Sequence, residues 1–436
     1  MTFTGQAAQP HGDAPSGGAR VAEPVRPEYS GARLSLFLIA LTRMIVTILT
    51  FGIGRFWMIT RLRRYYWSSV VIDGAPLEYT GRAGEKLIGF LVAVVILAVY
   101  LLVVNLALAF VGLSWFQGNP LALQLPFLAL LPLIFWARYR ARRYILARTR
   151  WRGIRFGLAP GAWGYAARAL FWWAATVLTL GFLYPLKQMM LARYTTDRSF
   201  YGDLRFEQRG GWGPLLLSWL WFWAPLALAV GLIASALAGF EFDRISGERE
   251  VFSFAAGIAG GPGLLILTAF WLVFAFIRHR VFSFRYLNSG KVLDGRASAN
   301  VTLSVWSVIG IYVLAGLVIG IGVGLTALVF TVIGFGLLAA GPEPTDLFDV
   351  LGSGEIPALS GLIALAISGL VYLPVIAVFS ALRHAFISHP LIAATAKTIR
   401  FHDLGAASRA RQRRHDEQAE AGGFADALGA DIGGAF

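Results

Sequence analysis

The chain has 436 residues, of which 57% are apolar and 14% charged, with a formal net charge of +14 and no cysteine. That balance lies far from the near-quarter charged share of soluble domains, and the missing cysteines exclude disulfides, thiol catalysis and thiolate metal sites. The positive sign fits either a polyanionic partner or the Lys/Arg excess of cytoplasmic membrane loops, and the distribution along the chain separates the two.

In chain order, residues 1–33 are rich in Gly, Pro, Ala and polar types and read as a disordered cytoplasmic tail. Long apolar runs follow at 34–60, 87–116, 121–137, 169–190, 214–240, 264–277, 301–340 and 359–382. About 20 apolar residues cover a ~30 Å hydrocarbon core, so most of these runs can span a bilayer. Residues 34–403 therefore read as a single polytopic membrane domain. It is of all-α class, with about 6 to 8 transmembrane or re-entrant helices and small cytoplasmic β-hairpin or turn elements. Membrane-spanning strands are excluded, since they alternate apolar with polar over about 10 residues. Residues 404–436 read as a second disordered cytoplasmic tail.

The basic residues gather at 55–86, 138–155, 187–209, 278–296 and 383–414, whereas 114–120 and 341–357 hold no Lys or Arg. Positive-inside reasoning places 114–120, 241–250 and 341–357 outside. The basic clusters and both termini then lie on the cytoplasmic face of a bacterial inner membrane. The runs 34–60 and 169–190 have basic clusters on both sides, so each is expected to enter and leave by one face. Both break at matching points, LTFGIGRFW (49–57) and LTLGFLYPL (178–186), where Gly or Pro loosens a helix.

A short grammar recurs after the apolar runs. It reads RYYWSSVVIDGAPLEYTG (64–81), RYILARTRWRGIRFG (143–157), RYTTDRSFYGDLRFE (193–207) and RYLNSGKVLDG (285–295), with a degenerate copy at 383–401. Repetition at a near-constant offset implies one supersecondary unit used several times. Asp73-Gly74 between two short apolar runs signals a hairpin, with Gly74 at positive φ. The eight arginines of 138–155 invite a nucleic-acid reading, but a unit of this kind between two membrane segments places them at the headgroup layer instead. Anionic membrane lipids are the expected partners, and nucleic acid is not. The run LTFGIGRFWMITRLRRYYWSSVVIDGAPLEYTG (49–81) and its later copies resemble the bacterial inner-membrane family of unknown function typified by YjgN. That resemblance implies a multi-pass inner-membrane protein and carries no catalytic residue.

Motifs for chemistry are sparse. His384 and His389 are five apart, and His279 sits between two arginines, so neither arrangement suits a metal. GIAGGPG (257–263) lacks the lysine of a phosphate loop. Gly316, Gly320 and Gly324 form a small-residue face suited to close helix packing. No cofactor is expected. The cations Arg43, Arg55 and Lys187 form the candidate anion or lipid site, with Arg43 deepest in its apolar run. The sequence supports transport of, or a channel for, an anionic or amphiphilic solute or lipid. Its alternative is a non-catalytic scaffold or envelope-maintenance protein that binds anionic lipid or a partner. An enzyme would need Glu78, Glu85 and Asp203 to converge on a pocket.

Overall fold

A computed structural model describes residues 23–115, 125–246, 251–339 and 358–413. Within these, helix pairs and β-hairpins alternate. Strand β1 (Glu28–Tyr29) leads into α1 (Arg33–Leu49) and α2 (Arg55–Ser68), then β2 (Val70–Ile72) and β3 (Ala75–Tyr79). Next come α3 (Ala83–Trp115), α4 (Leu125–Ala147), β4 (Thr149–Trp151) and β5 (Ile154–Leu158). They precede α5 (Ala162–Leu178), α6 (Tyr184–Thr196), β6 (Ser199–Tyr201) and β7 (Leu204–Gln208). Then follow α7 (Gly213–Ser246), α8 (Val251–Ser289), β8 (Lys291–Leu293) and β9 (Ala297–Val301). The last elements are α9 (Val305–Ala339), α10 (Ala358–Arg383), a π-helical turn (His384–Ser388), α11 (His389–Thr398), β10 (Ile399–His402) and a 3-10 helix (Leu404–Arg409).

The strands form one ten-stranded antiparallel sheet in chain order. Val25 pairs with Phe401 of β10, through Val25 N–H to Phe401 O at 2.9 Å and Phe401 N–H to Val25 O at 2.8 Å. The two outer strands are thereby joined and the sheet closes into a ring. Closure removes the exposed edges that a row of short strands would otherwise present. Its turns follow the sequence: Ile72 faces Ala75 across Asp73 (φ 49°) and Gly74 (φ 72°), a two-residue turn with both centres left-handed. Leu293 faces Ala297 across a turn holding Asp294 (φ 51°) and Gly295 (φ 69°).

The expected hairpins are thus not separate elements, and an all-α class understates the fold. Period-2 strands of three and five residues are too short to register beside helices of 30 or more residues, and the pairing between hairpins is non-local.

Above the sheet the helices form a second circle, each packing on its chain neighbours, with α1 closing against α10. Five helices are long and apolar enough to cross a membrane among the described residues: Ala83–Phe110, Gly213–Gly231, Leu264–Ser289, Val305–Gly336 and Val371–Thr398. Only 6–22% of each span is buried, so these helices present apolar side chains on most faces. The chain is a multi-pass membrane protein. The loops expected outside, 114–120, 241–250 and 341–357, fall wholly or partly beyond the described residues.

Two helix pairs differ from the rest. The pairs α1–α2 and α5–α6 are short, and each begins and ends on the sheet. Their tips match: Phe51-Gly52 (φ 51° and 92°) and Leu180-Gly181 (φ 51° and 98°). Gly52 N–H donates to Thr47 O at 2.7 Å, and Gly181 N–H to Thr176 O at 2.6 Å. Thr50 Oγ1 accepts from Gly54 N–H at 2.8 Å, and Thr179 Oγ1 from Leu183 N–H at 3.2 Å. These bonds satisfy the carbonyls and amides that a helix break frees. Apolar side chains cap both tips, with Phe51 98% and Leu180 84% exposed.

The close-packing glycine of α9 is Gly322, where an added Cβ would sit 2.6 Å from Leu382 Cδ1. Among the described residues, an added Cβ at Gly316, Gly320 or Gly324 would meet nothing within 4 Å, so that face forms no seam with them.

A plugged apolar chamber inside the strand ring

Inward side chains of the ring converge on one core. Trp151, Tyr201, Leu293 and Ala297 are buried there, with Ile72, Leu77, Ile154, Phe156, Leu204 and Phe206 packed against them. Ala406, Ala407 and Ala410, from the 3-10 helix and the residue after it, complete the same core. Small residues are what a chain crossing the mouth of so narrow a ring requires.

The crossing segment is held at its far end. Arg411 N–H donates to Asp203 Oδ1 at 2.7 Å, Arg155 N–H donates to Gln412 Oε1 at 3.0 Å, and the Arg413 guanidinium lies 4.3 Å from the Phe200 ring centre. Residues 404–413, which composition assigns to a tail, thus plug the ring. Residues 25–29 likewise belong to the sheet. Composition misses both because their small and polar residues resemble linker sequence.

Between the plug and the helix ends lies a cavity of about 470 Å³. Its wall includes Trp67, Phe156, Phe206, Phe284, Phe401 and Leu404. Among the described residues its polar lining is limited to Thr149, Tyr201, Asn288, Lys291 and Ser298, with Lys291 the one charged residue of that set. Lys291 opens β8, directly after α8, at the rim facing the helices. Its ammonium donates to Asn288 Oδ1 at 2.7 Å. Desolvation by the surrounding wall, with the Arg142 cation second, pushes the Lys291 pKa down to about 7. The sequence marks Lys291 only as one basic residue among many, since what makes it special is a cavity built by twelve other segments.

The sequence-derived cations are dispersed. Arg43 is half-buried on α1, Arg55 is exposed beside the α1–α2 tip, and Lys187 is buried on α6. The Lys187 ammonium lies 3.5 Å from the Trp173 ring centre and 4.3 Å from that of Tyr184. Aromatic faces offset part of the cost of burying that charge. No ion pair, hydrogen bond or ring contact joins Arg43 or Arg55 to Lys187 among the described residues.

The basic stretch 138–155 is largely spent inside the protein. Arg148 pairs with Glu85 at 2.8 Å, and the Tyr144 hydroxyl donates to the same carboxylate at 3.2 Å. Arg143 Nε donates to Leu158 O at 3.1 Å, Arg152 pairs with Asp73, and Arg140 lies over Trp136. The carboxylates do not converge: Glu85 holds Arg148, Asp203 holds the plug, and Glu78 faces Arg150 across the sheet. The histidines sit at helix interfaces. His384 Nδ1 lies 2.8 Å from the Tyr66 hydroxyl, His389 Nε2 is 2.9 Å from Gly31 O, and His279 Nε2 is 3.1 Å from Gln188 Oε1. No cluster able to hold a metal is found among the described residues.

A family model described as a bacterial protein of unknown function, DUF898, matches residues 24–333. The matched span takes in β1 to β9 and ends inside α9. No curated protein and no solved structure matches the chain.

Proposed function

Since the chain belongs to DUF898, a bacterial family of unknown function, we propose from its geometry that it takes up an amphiphilic molecule from the membrane into the chamber of the strand ring, as a transporter or carrier of lipid-like solutes. The observation that carries this reading is the 470 Å³ apolar cavity lying under a circle of apolar helices and closed on the other side by residues 404–413. A water-filled path for a small ion would need polar inner faces, whereas α9 is apolar on every face and suits a space filled by acyl chains.

The same reading sets the sheet at the cytoplasmic face of the inner membrane, because the basic clusters lie at the helix ends that meet it. It makes α1–α2 and α5–α6 re-entrant: each returns to the sheet, and tips carrying Phe51, Ile53, Leu180 and Phe182 bury apolar surface only in lipid. The fivefold succession of helix pair and hairpin then stems from one repeated unit, the fifth hairpin being split between the chain ends.

Photo-activatable phenylalanine in place of Phe206 or Phe401 tests the proposal, with Phe270, 70% exposed on α8, as the lipid-facing control. Membranes are irradiated before extraction and the captured molecules identified by mass spectrometry. The chamber positions are expected to capture a narrow set of amphiphiles and the control the bulk lipid mixture. Capture of bulk lipid at every position, or none at the chamber positions, would overturn it and favour the scaffold.

A further inference from the structure

The Lys291 ammonium has three hydrogens to donate, and among the described residues Asn288 is its only hydrogen-bond partner. Among the described residues no carboxylate lines the chamber to pair with it. A lysine confined to capping α8 would point to water along the outer surface, as long basic side chains do. Here the residue lines the cavity instead, where an unpaired cation carries a large desolvation cost that an anion inside the cavity would offset. One lysine with one neighbouring amide matches a single small anion. Phosphate recognition draws on arginine forks and several donors, and among the described residues no arginine lines this wall. The volume lies at the low end for ligand pockets and suits one acyl chain.

The geometry points to a binding site for one long-chain carboxylate, its head held by the Lys291 ammonium and the Asn288 amide and its chain lying among Phe156, Phe206, Leu293 and Phe401. The inference rests on the proposed function and names the chemical class of its ligand. The apolar tail is bound by area, without direction. The head is bound by one charge-assisted contact at the rim, so the ligand is held in one orientation.

Photo-labelling of the detergent-purified full chain by a diazirine-bearing long-chain fatty acid provides the test. Competitors are the unmodified acid, the alcohol of the same chain length and the corresponding alkyl phosphate. In the wild type the acid is expected to compete roughly tenfold better than the alcohol, the worth of one hydrogen bond to a charged group, and better than the phosphate. In Lys291→Met the acid's advantage over the alcohol is expected to vanish while labelling of chamber peptides persists, and Lys291→Arg is expected to retain it. An equal effect of acid and alcohol in the wild type, an undiminished advantage in Lys291→Met, or a stronger effect of the phosphate would overturn the carboxylate site and leave the chamber reading standing. Failure of every chain to label the chamber would overturn both.

Discussion

Val25 and Phe401 stand 376 positions apart and exchange both of their backbone hydrogen bonds, which makes the two ends of the membrane domain neighbours in one sheet. Val25→Pro removes one donor of this pair and fixes φ at its position. A loss of about 1–3 kcal/mol in stability is expected, from the broken bond and the acceptor left unsatisfied. Thermal unfolding in detergent checks it; an unchanged midpoint would show that the ring does not depend on this closure.

Gly52 and Gly181 are at φ 92° and 98° with nothing within 4 Å of an added Cβ, so a substitution there is penalised by backbone strain alone. Gly181→Val is expected to cost about 1–2 kcal/mol, as is Gly52→Val. Phe51→Asp and Leu180→Asp leave the backbone unchanged but place a charge on an exposed apolar tip, and should lower the yield of membrane-inserted protein. Wild-type yields from both would place the tips in water.

Lys291 gives a pH dependence of defined sign. Its folded pKa of about 7 lies below the ordinary 10.5, so between these values the unfolded chain binds more protons than the folded one. Stability therefore rises with pH across that window. The delipidated protein should gain in melting temperature from neutral to alkaline pH, and Lys291→Met should abolish the gain that Lys291 supplies. Identical pH profiles for the two proteins would refute this assignment.

The topology can be read with single cysteines in a chain that has none. Ser246→Cys and Ser353→Cys should react with an impermeant thiol reagent on intact cells. Ser68→Cys and Ser408→Cys, both exposed beside the sheet, should react only after permeabilisation. Ser69, two residues from Trp67, is 6% exposed and would resist labelling from either side. External reaction at position 68 or 408 would invert the orientation.

Much of the architecture was legible where the signal is local. TILTFG and TVLTLG announced two matched helix breaks, Asp73-Gly74 a left-handed turn, and the apolar runs a polytopic bundle. What stayed hidden depends on distant partners. The pairing of Leu77 with Trp151 and of Phe206 with Leu293, which turns four hairpins into part of one ring, leaves no periodicity to read. The setting of Lys291 stayed hidden for the same reason. Depth along an apolar run singled out Arg43, whereas Lys291 is distinguished by Leu146, Phe284, Phe401 and the other segments that build the chamber around it.

Asp203 supports the plug by accepting from Arg411 N–H at 2.7 Å, and Gly202 passes close enough that an added Cβ would meet Arg411 O at 2.5 Å. Gly202→Val and Asp203→Ala should therefore loosen residues 404–413 without touching the membrane helices. Faster amide hydrogen exchange at 406–411 is the expected readout, and exchange at the wild-type rate would show that other contacts hold the segment.

The closure by chain ends also sets an order of manufacture. Strands β1 to β9 each pair with the strands next to them in chain order, but the bond to Val25 and the plug both come from residues after 398, the last of the membrane domain to leave the ribosome. Until then the nascent chain is an open arc, with an unpaired strand at each end and its aromatic lining uncovered. A premature stop between α9 and β10 would leave every preceding hairpin intact and yet produce a protein that can neither seal its chamber nor hide its edges. Such a product would offer proteases and like chains the unpaired strand that the finished molecule conceals.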